Sequence, residues 1–284
     1  MSVSRSFSVS LSLWALLGPA QLQAQYREPW TGQGIPSGRT AATAPMLAAN
    51  SSAAAVIERS SPAPAPATRF TIRVENISQG EGLKLSTGGA APFVSAPVLW
   101  VVHTGSANPI FTGGKPDAGI GLELLAETGN PGDLVKSLTG RSGLVSVGAA
   151  ATPVGATTEG PITPGQVYQF EIEAQPGQLL STAWMFGQSN DLFYSNDRPI
   201  ALFDAVGKPA SGDMTAQLSL WDAGTEINEE PGLGPHQGPR QKNPGDGLRE
   251  SQGIAHVRDN YSYPKTADVL RFTITPAAGA VSRR

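Results

Sequence analysis

Apolar and polar residues alternate in several short stretches from residue 69 onward. Phe70, Ile72 and Val74 are separated by polar residues, and Val167–Ala174 shows the same period of two. This period predicts strands with one buried face. Residues 97–102 (PVLWVV) are continuously apolar and predict a central strand. Three further strands are predicted at residues 180–186, 216–221 and 269–275.

Between the predicted strands at residues 97–102 and 167–174, the spacing of the apolar residues predicts a helix. Asp117 precedes AGIGLELLAETGN, in which the leucines suit a short helix. We expect Asp117 to cap its start and Gly129 to end it. A second helical turn is expected over residues 133–138.

The composition favours many short strands. The 284 residues include 33 Gly and 24 Pro, and Pro-Gly pairs at 164–165 and 176–177 mark turns between the predicted strands. We therefore predict an all-β fold, an antiparallel β-sandwich with one or two short helices and long loops. The chain has no cysteine, which excludes disulfides, thiolate metal sites and cysteine nucleophiles. A net charge of −3 argues against nucleic acid as a partner.

The N-terminal region predicts export. Arg5 precedes an apolar run at residues 11–17 and small residues up to Ala24, so residues 1–24 are interpreted as a signal peptide, with a buried helix as the alternative. Residues 25–67 are rich in Ala, Ser and Pro and predict a linker, or in part an Ala-rich helix near 48–57. The folded domain is expected over 68–278, followed by a tail at 279–284. No later run is long enough to span a membrane, and a periplasmic or secreted protein is expected.

Acidic residues gather where one predicted strand ends. The segment TAQLSLWDAGTE (215–226) places Asp222 and Glu226 around a glycine turn, and Glu229 and Glu230 follow. Crowded carboxylates repel one another unless a cation lies between them. The segment therefore predicts a site for a hard metal ion, with Ca²⁺ as the first choice. The alternative is that Asp222 only caps the turn.

Two interpretations remain open for the acidic turn and for the segment behind it. Residues 228–253 carry no hydrophobic period, which predicts either a functional loop that covers the metal site or a mobile surface insertion. Asp222 and Glu226 could also serve as the paired carboxylates of a secreted carbohydrate hydrolase. We favour a non-catalytic protein, because only 7% of the residues are aromatic and glycosidase clefts are lined by aromatic rings. His103, which follows the central strand, is expected to be a hydrogen-bonded core histidine.

The order of these motifs resembles the spondin domain, and especially its secreted bacterial relatives, over about residues 68–277. The matching segments are VLWVVHTGSANPIFTGGKPDAGIGLELLAETGN, PGQVYQFEIEAQPGQLLSTAWMFGQSNDLFYS and LSLWDAGTEINEEPGLGPHQGPRQ. The WDAGTE turn and the helix that ends in LAETG are the specific parts of the resemblance.

The resemblance implies a C2-like sandwich that binds calcium through loops at one end. In the animal family an aspartate of a Ser-Pro-Asp-Trp loop and both acids of a Trp-Asp-Ala-Gly-Thr-Asp turn hold the metal. Here these positions fall on Asp191, Asp222 and Glu226. Glu226 is one methylene longer than the family's aspartate, and Leu192 replaces its tryptophan. The implied role is binding or adhesion outside the cell, with a protein or glycan as ligand. A purely structural envelope protein is a further alternative.

Overall fold

The computed structural model describes residues 66–238 and 240–278. The predicted signal peptide, nearly all of the predicted linker and the predicted C-terminal tail lie outside these residues. The described part contains thirteen strands, three α-helices and one 3-10 turn. The strands are β1 Thr68–Asn76, β2 Leu83–Lys84, β3 Ala90–Ala91, β4 Val98–His103, β5 Leu144–Ala150, β6 Val167–Ala174, β7 Leu179–Met185, β8 Leu192–Asn196, β9 Ile200–Ala201, β10 Gly212–Asp213, β11 Leu218–Asp222, β12 Ala255–His256 and β13 Leu270–Pro276. The helices are α1 Leu122–Thr128, α2 Gly132–Leu138 and α3 Thr266–Val269, and the 3-10 turn is Thr215–Gln217.

Apart from a two-stranded sheet of β2 and β3, the strands form two main sheets. The smaller of these has four antiparallel strands in the order β10-β13-β1-β6. The alternation in β1 buries Phe70, Ile72 and Val74 completely and leaves Arg69 outside, where it pairs with Glu173 at 3.2 Å. Exposed pairs of this kind contribute little to stability, so the strand is held by its apolar face. The predicted period-two strands at β1 and β6 are confirmed.

The larger sheet has the order β12-β11-β8-β7-β4-β5, and β9 also pairs with β7. Its strands are antiparallel, and β4 lies between β5 and β7. Val98 and Val102 of β4 point into one core, whereas Leu99 and Val101 point into another. Burial on both faces explains the continuous apolar run, and the predicted central strand is confirmed. β5, with the sequence LVSVGAA, was not predicted.

The two sheets pack face to face around an aromatic core. Trp184 and Phe272 come from opposite sheets, and their ring centroids lie 6.3 Å apart. Phe93 and Phe186 meet edge to face at 5.4 Å. These antiparallel sheets and few short helices form an all-β, sandwich-like fold, as predicted from the sequence.

A third layer covers the outer face of the larger sheet. Leu122 and Leu125 of α1 and Leu134 of α2 are fully buried in a second core that includes Phe193 of β8. The two predicted helices are therefore present, and their apolar residues hold them on the sheet. This layer brings α1 next to the end of the sheet at which the acidic turn lies.

The predicted start of α1 is wrong, and its predicted end is correct. Asp117 does not cap the helix, because its Oδ2 accepts a hydrogen bond from the backbone N–H of Gly119 instead. The helix begins after Gly121, which has a φ of 111°. Gly129 ends the helix with a φ of 73° and donates its N–H to the carbonyl of Leu125. Packing against α2, and not a capping side chain, sets the first residue of α1.

We predict that Gly121→Ala destabilises the protein much more than Gly119→Ala. Both glycines have a positive φ, so alanine costs about 1–2 kcal/mol of backbone strain at either position. A Cβ atom at Gly121 would also lie 2.7 Å from the backbone nitrogen of Leu134, whereas nothing lies within 4 Å at Gly119. The expected loss at Gly121 is about 3 kcal/mol or more, measured by urea unfolding. Equal losses in the two variants would contradict the close helix contact.

Candidate metal centre

Asp191 lies in the hairpin between β7 and β8, directly before β8 begins, and its side chain is fully buried. Its Oδ2 accepts hydrogen bonds from the backbone N–H groups of Thr225 and Glu226, both at 3.0 Å. The hydroxyl of Thr225 lies 3.2 Å from the same oxygen. The backbone carbonyl of Asp191 accepts a further hydrogen bond from the N–H of Ala223. Asp191 therefore fixes the backbone of the 222–226 turn.

Asp222 ends β11 and lies opposite Leu192 of β8 in the sheet. The start of β8 and the end of β11 therefore lie side by side. One carboxylate oxygen of Asp222 accepts from the N–H of Gly224 at 2.7 Å, and the other accepts from Nδ2 of Asn228 at 2.6 Å. The capping role that the sequence left open is thus present, but it does not exclude a metal role, since carboxylate oxygens have further lone pairs.

Glu226 is fully buried under the loop that follows it. Its Oε1 accepts a hydrogen bond from the N–H of Gly247 at 2.9 Å. A Cβ atom at Gly247 would overlap Oε2, so a larger residue here would require the Glu226 side chain to shift. Glu226 also forms an isolated β-bridge with Arg249.

Several acceptor oxygens in this region are buried and have no hydrogen-bond partner in the described part of the chain. They are Asp191 Oδ1, Glu226 Oε2, Asn228 Oδ1 and Gln241 Oε1. A buried carboxylate or amide oxygen without a partner has lost its hydration and gained nothing in return. Such oxygens are the ligands that calcium prefers.

A fourth acid, Glu127, was not predicted as part of the site. It lies near the end of α1 and is only 1% exposed. The hydroxyl of Thr225 is 3.4 Å from its Oε1, and Gln241 donates to its backbone carbonyl. The spacing of apolar residues predicted that Leu122 and Leu125 lie on the buried face of the helix. By that spacing alone, Glu127 resembles an ordinary surface residue. The LAETG ending, which the resemblance marked as specific, was the available signal.

The pKa values of all four acids are raised, and burial is the largest cause in each case. Burial, followed by repulsion from Asp222, raises the pKa of Asp191 to about 8. Burial, followed by repulsion from Glu226 and Glu123, raises the pKa of Glu127 to about 7. Arg249 lowers the pKa of Glu127 and of Glu226, and it also pairs with Glu123. Ionising all four acids together is therefore unfavourable, and attraction from Arg249 offsets only part of the cost.

The long segment at residues 228–253 lies against the acidic turn, where Gly247 bonds to Glu226 and Arg249 forms a β-bridge with it. Between residues 228 and 238 and between 240 and 253 it contains no named helix or strand, but it is held by specific bonds. Nδ1 of His236 lies 2.6 Å from Glu229, and the buried Gln237 bonds to the N–H of Gly232 and the carbonyl of Glu230. Glu230 in turn accepts from Ser86. The loop is therefore anchored at several points above the acidic turn.

The described residues do not form a ready-made metal cage, since no three of their His, Asp or Glu side chains are grouped to hold an ion. Asp191, Asp222 and Glu226 surround one turn, but each is already engaged in hydrogen bonds to backbone or amide groups. Their donor chemistry fits a hard cation, and binding would require these carboxylates to reorient. His103 is a buried core residue as expected, with Nε2 at 2.9 Å from Ser181 Oγ.

Comparison with known proteins adds no relative. No protein-family model matches the chain, and no curated protein matches it significantly. The resemblance to spondin domains therefore rests on the motifs quoted above. None of the helices in the described residues is long and apolar enough to cross a membrane.

We predict that the protein stripped of metal loses stability as the pH rises from about 4 to 8. The pKa of Asp191 is raised from 3.8 to about 8, so in this window the native state holds a proton that the unfolded chain has released. The free energy of unfolding must then fall with increasing pH. Urea unfolding in EDTA at several pH values measures this slope.

The matched variants are Asp191→Asn and Glu171→Gln. Asparagine cannot ionise but can still accept from the turn, so Asp191→Asn should flatten much of the slope. Glu171 is exposed on the other sheet, and its removal should leave the slope unchanged. A stability that is constant between pH 4 and 8 in the stripped wild type would contradict the burial of an ionisable Asp191.

Proposed function

We propose that this protein is an exported, calcium-binding β-sandwich that serves as a non-catalytic binding or adhesion module outside the cytoplasm. The observation that carries the proposal is the pair of fully buried carboxylates of Asp191 and Glu226. Each has one oxygen without a hydrogen-bond partner in the described part of the chain, and both surround the turn at 222–226.

A bound cation would reduce the repulsion between the carboxylates of this site more than hydrogen bonds do. Repulsion from Asp222 raises the pKa of Asp191 further after burial, and burial followed by repulsion from Asp259 raises the pKa of Asp222. A divalent ion offsets that repulsion and supplies the missing partner for the free oxygens. Because the donors are oxygens and the chain contains no cysteine, the chemistry favours calcium over a soft metal.

Asp191, Asp222 and Glu226 would hold the ion. Asp191 and Glu226 offer their unpartnered oxygens, and Asp222 would contribute an oxygen that now accepts from Asn228. The side-chain oxygen of Asn228 is an additional neutral ligand. Calcium takes six to eight oxygens at about 2.3–2.6 Å, so carbonyls and waters would supply the others.

The role of the ion in this proposal is to fix a recognition edge. It would join the start of β8, the end of β11 and the loop that follows Glu226. Ile227 and Leu248 lie at the rim of this site, are 51% and 70% exposed, and are linked by a backbone hydrogen bond. An extracellular protein or a glycan is the proposed partner, and the rim is where it would bind. The predicted signal peptide supports the proposed location, and the spondin-like motifs support the class.

The geometry favours a binding role over the hydrolase alternative. A glycosidase needs two carboxylates that face an open cleft. Here both oxygens of Asp222 accept hydrogen bonds within the turn, and Glu226 is fully buried beneath the loop. Burial keeps Glu226 away from a carbohydrate chain in this arrangement, whereas Asp222 is partly exposed. The remaining alternative, a purely structural envelope protein, would also bind calcium but would have no protein or glycan partner.

We predict that calcium stabilises the wild-type protein and that Asp222→Asn removes most of this effect. An ion at about 100 times its dissociation constant adds about 2.7 kcal/mol, which corresponds to a rise in Tm of about 5–10 °C for a domain of this size. Thermal unfolding in EDTA, in millimolar calcium and in millimolar magnesium measures the effect.

Glu171→Gln is the matched control, because it removes one acidic charge from the opposite sheet without touching the site. This variant should respond to calcium as the wild type does. A wild-type Tm that does not change between EDTA and calcium would reject the calcium site, and with it the proposed function.

A further inference from the structure

Strand β5 forms one edge of the larger sheet and pairs with β4 on one side only. In an antiparallel strand about half of the backbone N–H and C=O groups point away from the neighbouring strand. Among the residues described, the backbone hydrogen bonds of residues 145–150 go only to β4. The outward-pointing groups of this stretch therefore form an open edge, the β5 edge, to which another strand can be added.

The β5 edge lacks the charges and the proline that usually protect an edge strand from pairing. Residues 142–158 contain no charged side chain, and β5 itself contains no proline. The strand has one irregularity, a shift of register opposite Val102 and His103 that leaves Val145 as an extra residue. The regular part of the edge is therefore Ser146–Ala150, and it is uncharged throughout.

The neighbouring edge, that of the smaller sheet, is protected by charge. In the described part of the chain β6 ends this sheet, and it exposes Glu171 and Glu173 beside Arg69. Two copies that paired through β6 about Ile172 would place these acids opposite one another, and like charges in that position destabilise a strand pair. In β5, with the sequence LVSVGAA, every antiparallel register opposes only apolar, Ser or Gly residues. Of these two edges, β5 is therefore the one that can pair with a copy of itself.

Apolar side chains accompany the open backbone on this side of the sandwich. On β5, Val145 is 48% exposed and Ala149 is exposed as well. Trp100 of β4 and Phe170 of β6 stack with their ring centroids 5.8 Å apart, and both are only half-buried. The Trp100 ring lies over Gly148 of β5, where a Cβ atom would be 2.5 Å from it. Unpaired backbone and apolar surface thus occur together, so covering this side would stabilise the protein.

We propose that the β5 edge is a self-association surface, at which two copies of this chain pair antiparallel and join their larger sheets. A second copy fits this edge because two identical antiparallel strands are related by a two-fold axis, so every contact occurs twice. Each copy supplies the backbone donors and acceptors that the other lacks, and no charged side chain of β5 is buried in the process. Apolar residues of the two strands then lie opposite one another.

Sedimentation equilibrium of the full-length chain over a range of concentrations tests this assignment. The variant is Ala149→Lys, which places a charge on the regular part of the edge. Its control is Ala205→Lys, which adds the same charge at an exposed alanine in the loop between β9 and β10. We expect the wild type and the control to dimerise equally, and Ala149→Lys to raise the dissociation constant of the dimer about tenfold or more, since charges on an edge oppose strand pairing. Amide hydrogen exchange at residues 146–150 should slow as the wild-type concentration rises.

A wild type that stays monomeric at every concentration would overturn this inference. A dimer that Ala149→Lys leaves unchanged would also overturn it, because such a dimer forms through another surface. Circular dichroism first establishes that the variants are folded, and Val145→Lys replaces Ala149→Lys if the latter is not. The strands β7 and β4 separate β5 from β8, so the dimer should form equally in EDTA and in calcium. Failure here therefore leaves the proposed calcium site untouched, and failure of that site leaves the dimer untouched.

Discussion

The buried carboxylate of Asp191 is the constraint on which this end of the molecule depends. Its Oδ2 organises the turn between Asp222 and Glu226 through two backbone N–H groups and a hydroxyl. This turn aligns the end of β11 with the start of β8. Removing this carboxylate from water is costly, and the hydrogen bonds recover only part of the cost. The raised pKa of Asp191 reflects the part of this free-energy cost that the hydrogen bonds do not offset.

The surrounding layers explain why the charge cannot simply be released to solvent. The core beneath β8 and β11 is closed by Phe193 and Trp221, on which the residues of α1 and α2 pack. The loop after Glu226 closes the other side, with Gly247 against the Glu226 carboxylate. Opening the site would expose apolar surface on the helical layer, which stabilises the closed form. Asp191, Glu127 and Glu226 are buried in this closed form, and burial is the largest cause of their raised pKa values.

The sequence predicted the regular part of this structure better than its irregular part. Period-two alternation identified β1 and β6, and a continuous apolar run identified β4, because burial of one or two strand faces follows directly from such patterns. The start of α1 was wrong, since contact with α2 at Gly121 decides it. The resemblance named Asp191 and Asp222 as ligands, and in the structure the start of β8 lies opposite the end of β11, where these two acids are found. Glu127 was missed, because a contact between residues 127 and 225 leaves no trace in local spacing.

Protons and metal ions are two alternative ways to neutralise the same buried acids. With pKa values of about 7 for Glu127 and about 8 for Asp191, the ion-free protein retains protons near neutral pH. A divalent ion must displace these protons before it can bind, so metal binding and proton release are linked. In the structure, the carboxylates of Asp191, Asp222 and Glu226 accept hydrogen bonds from neighbouring backbone or amide groups. Under the proposed function, calcium would replace the protons that the buried acids retain in the ion-free protein.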